Sequence, residues 1–271
     1  NIEAVMIEWI REQYCRKRIA IVDTDCHHGD GTQDIYWHDP DVLFISLHQD
    51  GRTLYPGSGF PNENGGPRAL GRTVNIPLPP RTSDAGYLHA IEQVVLPILA
   101  DFQPDLVINS AGQDNHYSDP ITNMQFSAQG YARLNELLKP DIAVLEGGYS
   151  IKGALPYVNL GICLAMAGCD YSAVREPDYN QAALAENAET MDYIRALSEE
   201  ILEGYFNPEP GDFEKKGDWF IRERKIYYDT DGILEQQRER LKDCDQCRGL
   251  RLINTSSSRI LPCLGVELPI D

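Results

Sequence analysis

Asp23-Thr24-Asp25-Cys26-His27-His28-Gly29-Asp30-Gly31 is the densest run of chemically capable groups in this 271-residue chain. Carboxylates and imidazoles follow directly on an apolar run, Ile19-Ala20-Ile21-Val22. If the backbone stays extended through the run, its two-residue period sets Asp23, Asp25 and His27 on one side and His28 on the other. Carboxylate oxygens beside an imidazole nitrogen are a ligand set for a divalent transition metal, zinc first among them. The plainer alternative is a polar loop built from Asp-Gly turns.

Two further segments place chemistry at equivalent points. Asp105-Leu106-Val107-Ile108-Asn109-Ser110 runs into Ala111-Gly112-Gln113-Asp114, and Asp141-Ile142-Ala143-Val144-Leu145 runs into Glu146-Gly147-Gly148-Tyr149. With Arg18–Asp23 and Val42–Leu47 these read as four strands buried on both faces. Helical patterns lie at Asn1–Tyr14 (Ile2, Val5, Met6, Ile10 and Tyr14 on one face), Ala85–Phe102, Ser127–Leu138 and Leu155–Ala167. Strands alternating with helices predict an α/β fold with a parallel sheet. Such sheets bind ligands outside the carboxyl ends of their strands. Asp25, His27, Asp114 and Tyr149 are therefore expected along one sheet edge. Arg52–Arg81 is expected to be a long functional loop.

From about Asp170 the texture changes. The expected organisation is a main domain over 1–170, a helical extension and linker over 171–212 with an acidic helix at Gln181–Tyr205, and a small module over 213–271. In that module Ile233–Leu241 reads as a charged helix and Leu250–Leu268 as extended chain. Cys244-x-x-Cys247 suggests half a zinc ribbon; a redox pair or two unrelated thiols are the alternatives.

The net charge of −18 excludes a general nucleic-acid binder, which needs a basic face. No apolar run approaches the ~18–20 residues of a membrane span. Seven scattered cysteines fit a reducing, cytoplasmic setting.

Asp23 to Gly31, Ile45-Ser46-Leu47-His48, Leu54-Tyr55-Pro56-Gly57-Ser58-Gly59, Asn75-Ile76-Pro77-Leu78, Ser110 to Asp114 and Leu145 to Tyr149 together resemble the successive signatures of the histone deacetylase superfamily. That superfamily includes acetylpolyamine amidohydrolases and acetoin-utilisation proteins. The resemblance covers about residues 1–168. It implies an arginase-like, three-layer deacetylase fold and zinc-dependent removal of an acyl group from a lysine side chain or a polyamine. It also implies residue roles. Asp25, His27 and Asp114 would hold Zn2+. Tyr149 would stabilise the oxyanion. Asp23 and Asp30 would orient active-site histidines. Asp23, Asp25, His27 through its carbonyl, and Ser46 would hold a structural K+. Tyr55 would wall the acyl-lysine tunnel.

The chain departs from that pattern in one respect. The tandem histidines that move protons in the superfamily have no counterpart among His27, His28, His38, His48, His89 and His116. The chain also opens on Asn1 with a helical pattern and no initiator. The expectation is an amino-terminally truncated enzyme that binds zinc but does not turn over. Competing readings are a binuclear ureohydrolase resembling arginase, which shares Asp-x-Asp-x-His, and a non-catalytic acyl-lysine or partner-binding module.

Overall fold

The computed structural model describes residues 1–15, 17–228, 232–242, 244, 250–257 and 265–269, with 228 and 265–269 by backbone alone. The chain divides into two units, one of Asn1–Gly65 with Ala69–Glu209, the other of Gly66–Arg68 with Pro210–Asp271.

The first unit is built on five parallel strands: β1 (Ile19–Asp23), β2 (Val42–Gln49), β3 (Thr73–Leu78), β4 (Leu106–Ala111) and β5 (Ile142–Leu145), in the order β3-β2-β1-β4-β5. The two-residue period sorts their side chains into two cores. Ile19, Ile21, Val42, Phe44 and Ile108 pack with Ala4, Ile7 and Tyr36 on one face. Ala20, Val22, Leu43 and Ile45 pack with Val94, Ile98, Leu134, Val158 and Ile194 on the other. The result is three layers, with α1 (Ile2–Tyr14) and α2 (Asp30–Tyr36) below the sheet. Above it lie α3 (Asp84–Ala90), α4 (Leu96–Phe102), α5 (Ala128–Leu138), α6 (Leu155–Met166) and α7 (Ala188–Phe206). Each large apolar side chain fully buried this way stabilises by roughly 1.5–3 kcal/mol.

Several elements differ from the sequence expectation. The stretch read as the loop Arg52–Arg81 contains β3, at one end of the sheet. Pro77 obscured it, since proline cannot donate to a ladder; on an edge strand its missing N–H is tolerated. The short helix α2 was not anticipated. The single helix expected over Ala85–Phe102 carries a π-helical turn at Ile91–Val95, just before Pro97. The proline ring would crowd the carbonyl four residues back, and widening the turn relieves this. The acidic helix starts at Ala188 rather than Gln181, where the Asn187 side chain accepts from the Glu189 N–H.

The buried face of α1 is also not the expected one. Ile2, Val5 and Tyr14 are exposed, while Glu3, Ala4 and Ile7 are buried. Polar anchors set this rotation. Asn1 caps the helix at Ala4 N and donates to Thr32 Oγ1, Glu3 takes the Ser110 hydroxyl, and Arg11 pairs with Asp39 at 2.6 Å.

The second unit is an antiparallel sheet of β6 (Glu214–Lys216), β7 (Trp219–Tyr228), β8 (Ile233–Lys242), β9 (Leu250–Ser257) and β10 (Gly265–Pro269), in chain order. The helix expected at Ile233–Leu241 is therefore strand β8. Its charged residues pair across strands instead of along a helix: Glu239 is buried and meets both Arg222 of β7 and Arg251 of β9. Cys247 lies outside the described residues; Cys244 is half-buried.

Candidate metal centre

β1 ends at Asp23, and the chain bends through residues 25–27 rather than remaining extended. Two successive aspartate turns cause the bend. Asp23 Oδ1 accepts from Asp25 N at 3.0 Å, and Asp25 Oδ1 accepts from His27 N at 2.8 Å. Aspartate side chains compete for nearby N–H groups in this way and so end strands. The expected strand alternation is thus replaced, yet Asp25 and His27 still converge.

β4 pairs with β1 in parallel so that Ser110 lies opposite Asp23, and the chain beyond β4 carries Asp114 to the same place. One ligand atom each from Asp25, His27 and Asp114 lies within 4.8 Å of the others. His27 Nδ1 is 2.8 Å from Asp114 Oδ2 and 3.2 Å from Asp25 Oδ1. The remaining carboxylate oxygens are held by backbone. Asp114 Oδ1 accepts from Cys26 N and Asp25 Oδ2 from Gly147 N, both at 2.8 Å. The hydrogen bonds to Asp114 and then Asp25 push the His27 imidazole up to about 10. Burial pushes Asp114 upward, and burial together with the charge of Asp25 pushes Asp23 well upward. Two like charges this close disfavour each other's ionisation, and a cation between them relieves this. A divalent ion fits these donors.

The backbone is shaped around these oxygens. A Cβ on Gly112 would stand 2.3 Å from Asp25 Cα. One on Gly147 would stand 2.6 Å from Asp25 Oδ2 and 2.7 Å from Asp114 Oδ2. Two carboxylates and a histidine Nδ1, with no room for a side chain over them, form a donor set that suits a transition metal.

The centre opens into a cavity of about 540 Å³ lined by Glu3, Asp23, Asp25, His27, Glu146 and Tyr149, among others. Tyr149 sits at its edge, half exposed, beyond Gly147-Gly148. Asp23 is buried at its base. Asp30 is exposed in the first turn of α2. Ser46 is opposite Asp23 in register, and its hydroxyl bonds His48 Nδ1 at 2.9 Å. Tyr55 is exposed on the loop between β2 and β3.

Three other buried histidines, His28, His48 and His116, are committed to structure. His28 bonds Ser58 and Gln33; His48 bonds Ser46 and Gly59 O; His116 bonds Ser118 and Glu176. Three further buried acids were given no role from sequence. Glu3 is buried on Ser110, Asp119 accepts from Tyr149 N at 2.8 Å, and Glu176 accepts from His116. The Asp119-Pro120 pair was a turn signal that could have marked Asp119; nothing in the sequence marks Glu176.

Residues 1–159 match the family model for the histone deacetylase domain. A probable deacetylase of Archaeoglobus fulgidus is 50% identical over 187 residues, which are 66% of this chain and 51% of that protein. The acetoin utilization protein AcuC of Bacillus subtilis is 36% identical over 179 residues, 63% of this chain and 46% of that protein. Among solved structures, the HDA15 HD domain superposes with a TM-score of 0.64 at 29% identity, covering 75% of this chain and 55% of that one. An acetylpolyamine aminohydrolase from Burkholderia pseudomallei gives 0.55 at 32% identity, covering 64% and 49%. The chain spans about half the length of the curated relatives it matches.

Proposed function

The chain belongs to the histone deacetylase family, and from its site we propose that it carries the zinc and oxyanion side of an amidohydrolase acting on an acylated lysine or an acylated polyamine. The observation that carries this reading is the convergence of Asp25, His27 and Asp114 from two neighbouring strands, with Tyr149 delivered to the same cavity from a third. Within it, residues 1–170 form the deacetylase part, 171–212 an extension and linker, and 213–271 a separate module. The setting is cytoplasmic; no helix among the described residues is long and apolar enough to cross a membrane.

Asp25, His27 through neutral Nδ1, and Asp114 would hold the zinc. When bound, it polarises the amide carbonyl and lowers the pKa of water, and three protein ligands leave it room for both. Tyr149 donates its hydroxyl to the oxygen on which negative charge develops. A donor of this kind is worth ~2.7–4 kcal/mol of barrier. The diglycine before it allows close approach, and Asp119 fixes its backbone. Asp23 and Asp30 would orient proton-transfer histidines that this chain does not itself carry, Tyr55 would wall the acyl tunnel, and Asp23, Asp25, the His27 carbonyl and Ser46 would take a structural K+.

Neither His28, which lines the cavity, nor His116 has a ring nitrogen left over to act as general base. His28, His48 and His116 have both ring nitrogens bonded elsewhere, and His27 faces the metal. The chain alone is therefore expected to bind zinc without turnover, since acid–base catalysis is worth ~10²–10⁴-fold. A binuclear ureohydrolase is disfavoured. Among the described residues one metal-ligating cluster occurs, and Asp119, the nearest further acid in sequence, accepts from Tyr149 N and Ile121 N.

The test joins this chain to the amino-terminal region of the Archaeoglobus relative, loads zinc, and assays an acetyl-lysine peptide and an acetylated polyamine. Hydrolysis by the chimera, none by the chain alone, and loss of most of kcat in Tyr149→Phe with zinc retained are expected. A Tyr149→Phe chimera of near-normal kcat overturns the assigned role.

A further inference from the structure

Tyr149 follows two glycines, so the chain before it does little to fix its side chain, while the turn after it is closed by Ala154 N and Leu155 N on Ser150 O at 2.9 and 3.2 Å. A second hold comes from the segment that carries Asp114. Beyond this ligand the chain stays buried through Asn115 and His116, each fully inaccessible. Asn115 Nδ2 ties the segment to Thr24 O at 2.8 Å. Asp119 Oδ2 then accepts from the Tyr149 N–H at 2.8 Å, and Ser118 Oγ meets Ser150 Oγ at 2.8 Å. The tyrosine is thus gripped at its own backbone and at the next side chain. Gly153 permits the serine contact, since a Cβ there would come within 2.7 Å of Ser150 Oγ and 2.9 Å of Ser118 Oγ.

The hydrogen-bond chain does not stop at Ser118. His116 Nδ1 lies 2.9 Å from Ser118 Oγ, and His116 Nε2 lies 2.7 Å from Glu176 Oε1. The proton positions follow from the partners. Glu176 accepts, so Nε2 carries the hydrogen. Ser118 N donates to Nδ1 at 3.1 Å, so Nδ1 is the acceptor. Ser118 Oγ then donates to Nδ1 and accepts from Ser150 Oγ. Glu176 Oε1 also takes the Ala128 N–H at 2.7 Å, which anchors the chain to the first residue of α5. Glu176 is 2% exposed and lies past residue 159, where the family match ends.

We infer that Glu176, acting through His116, Ser118 and Ser150, is a positioning residue that holds Tyr149 in register with the metal ligands. The segment after the family-matched region thereby takes part in the geometry of the site. The inference rests on Tyr149 being the hydroxyl donor of the proposed function.

The experiment measures acetohydroxamate binding to the zinc-loaded full chain, with zinc content as a check that the centre is intact. On the proposed function, the probe's carbonyl would stand in place of the amide oxygen and take the Tyr149 hydroxyl. Loss of that one hydrogen bond in Tyr149→Phe is expected to weaken binding about three- to tenfold. Glu176→Ala and the milder Ser150→Ala should each weaken binding by a similar or smaller factor, with zinc retained. Neither should weaken it further in the Tyr149→Phe background. Glu176→Gln, whose amide oxygen can still accept, should restore most of the binding.

Additive losses in the double variants, or wild-type binding by both Glu176→Ala and Ser150→Ala while Tyr149→Phe is weakened, overturn the inference alone. Wild-type binding by Tyr149→Phe, or no binding by the zinc-loaded wild type, overturns the reading beneath it as well.

Discussion

His27 Nδ1 and Asp114 Oδ2 stand 2.8 Å apart across 87 residues of sequence. The contact exists because β1 and β4 are parallel neighbours in register, Asp23 beside Ser110, and both chains turn toward the same point on leaving the sheet. Two short turns of aspartate side chains onto backbone N–H groups complete it.

That closeness leaves no space above the carboxylates. Gly147→Ala would press a methyl group to within 2.6 Å of Asp25 Oδ2 and 2.7 Å of Asp114 Oδ2. The ligands must move apart, and zinc affinity is expected to fall by about 10–100-fold, the range seen when groups supporting a metal site are disturbed. Competition with a chromophoric chelator would measure it. Unchanged affinity would mean that the ion does not sit between these oxygens.

Metal and folding should be linked. An ion that binds only the folded chain stabilises it by about 2.7 kcal/mol at a free concentration 100 times its dissociation constant. Zinc should raise the melting temperature of wild type, a chelator should reverse this, and Asp114→Ala should respond to neither. The comparison is made with Cys244 and Cys247 replaced by serine, so that thiols do not contribute. An equal zinc-dependent rise in Asp114→Ala would place the ion elsewhere.

Much of this was legible in the sequence, for identifiable reasons. Continuous apolar runs such as Ile19–Val22 and Val42–Leu47, alternating with helical patterns, read as buried parallel strands, and the ends of such runs marked Asp25, His27, Asp114 and Tyr149; the run leading to Tyr149 is an exception in burial, since β5 is an edge strand only partly covered. What was not legible depends on contacts distant in sequence. Ile2 and Val5 looked like the buried face of α1, but Asn1–Thr32, Glu3–Ser110 and Arg11–Asp39 rotate that face outward. Ile233–Leu241 looked helical because its charges could pair along a helix; they pair across strands, as Glu239 does with Arg222 and Arg251. The Asp231-Gly232 dipeptide before β8 was the available hairpin signal.

The second unit offers a contrast of magnitudes. Glu239 is 1% exposed in its side chain, 2.6 Å from Arg222 Nη2 and 2.5 Å from Arg251 Nε. Removing it leaves two largely buried guanidiniums without this partner, and Glu239→Ala should cost about 3–5 kcal/mol. Glu223 is mostly exposed, 3.7 Å from an exposed Arg238. Glu223→Ala should change stability by less than about 1 kcal/mol. Denaturant titrations of both variants check this, and equal effects would contradict the burial of Glu239.

Acid should act through Glu176. Burial alone would raise its carboxyl, but the hydrogen bonds from His116 and Ala128 N outweigh burial and hold it below the ordinary 4.5. A depressed folded pKa contributes stability that is present above 4.5 and lost as pH falls through the lower folded value. The stability advantage of wild type over Glu176→Gln should therefore be constant toward neutral pH and shrink below 4.5. Chemical denaturation across that range measures it. An advantage that grows on acidification would contradict the sign.

Anomalous X-ray scattering at the zinc edge from crystals of the zinc-loaded chain tests the central claim most directly. One peak is expected among Asp25, His27 Nδ1 and Asp114, at bond lengths of about 2.0–2.2 Å. Two peaks close together there would contradict the account in favour of a binuclear centre, and no peak at these residues would contradict it outright.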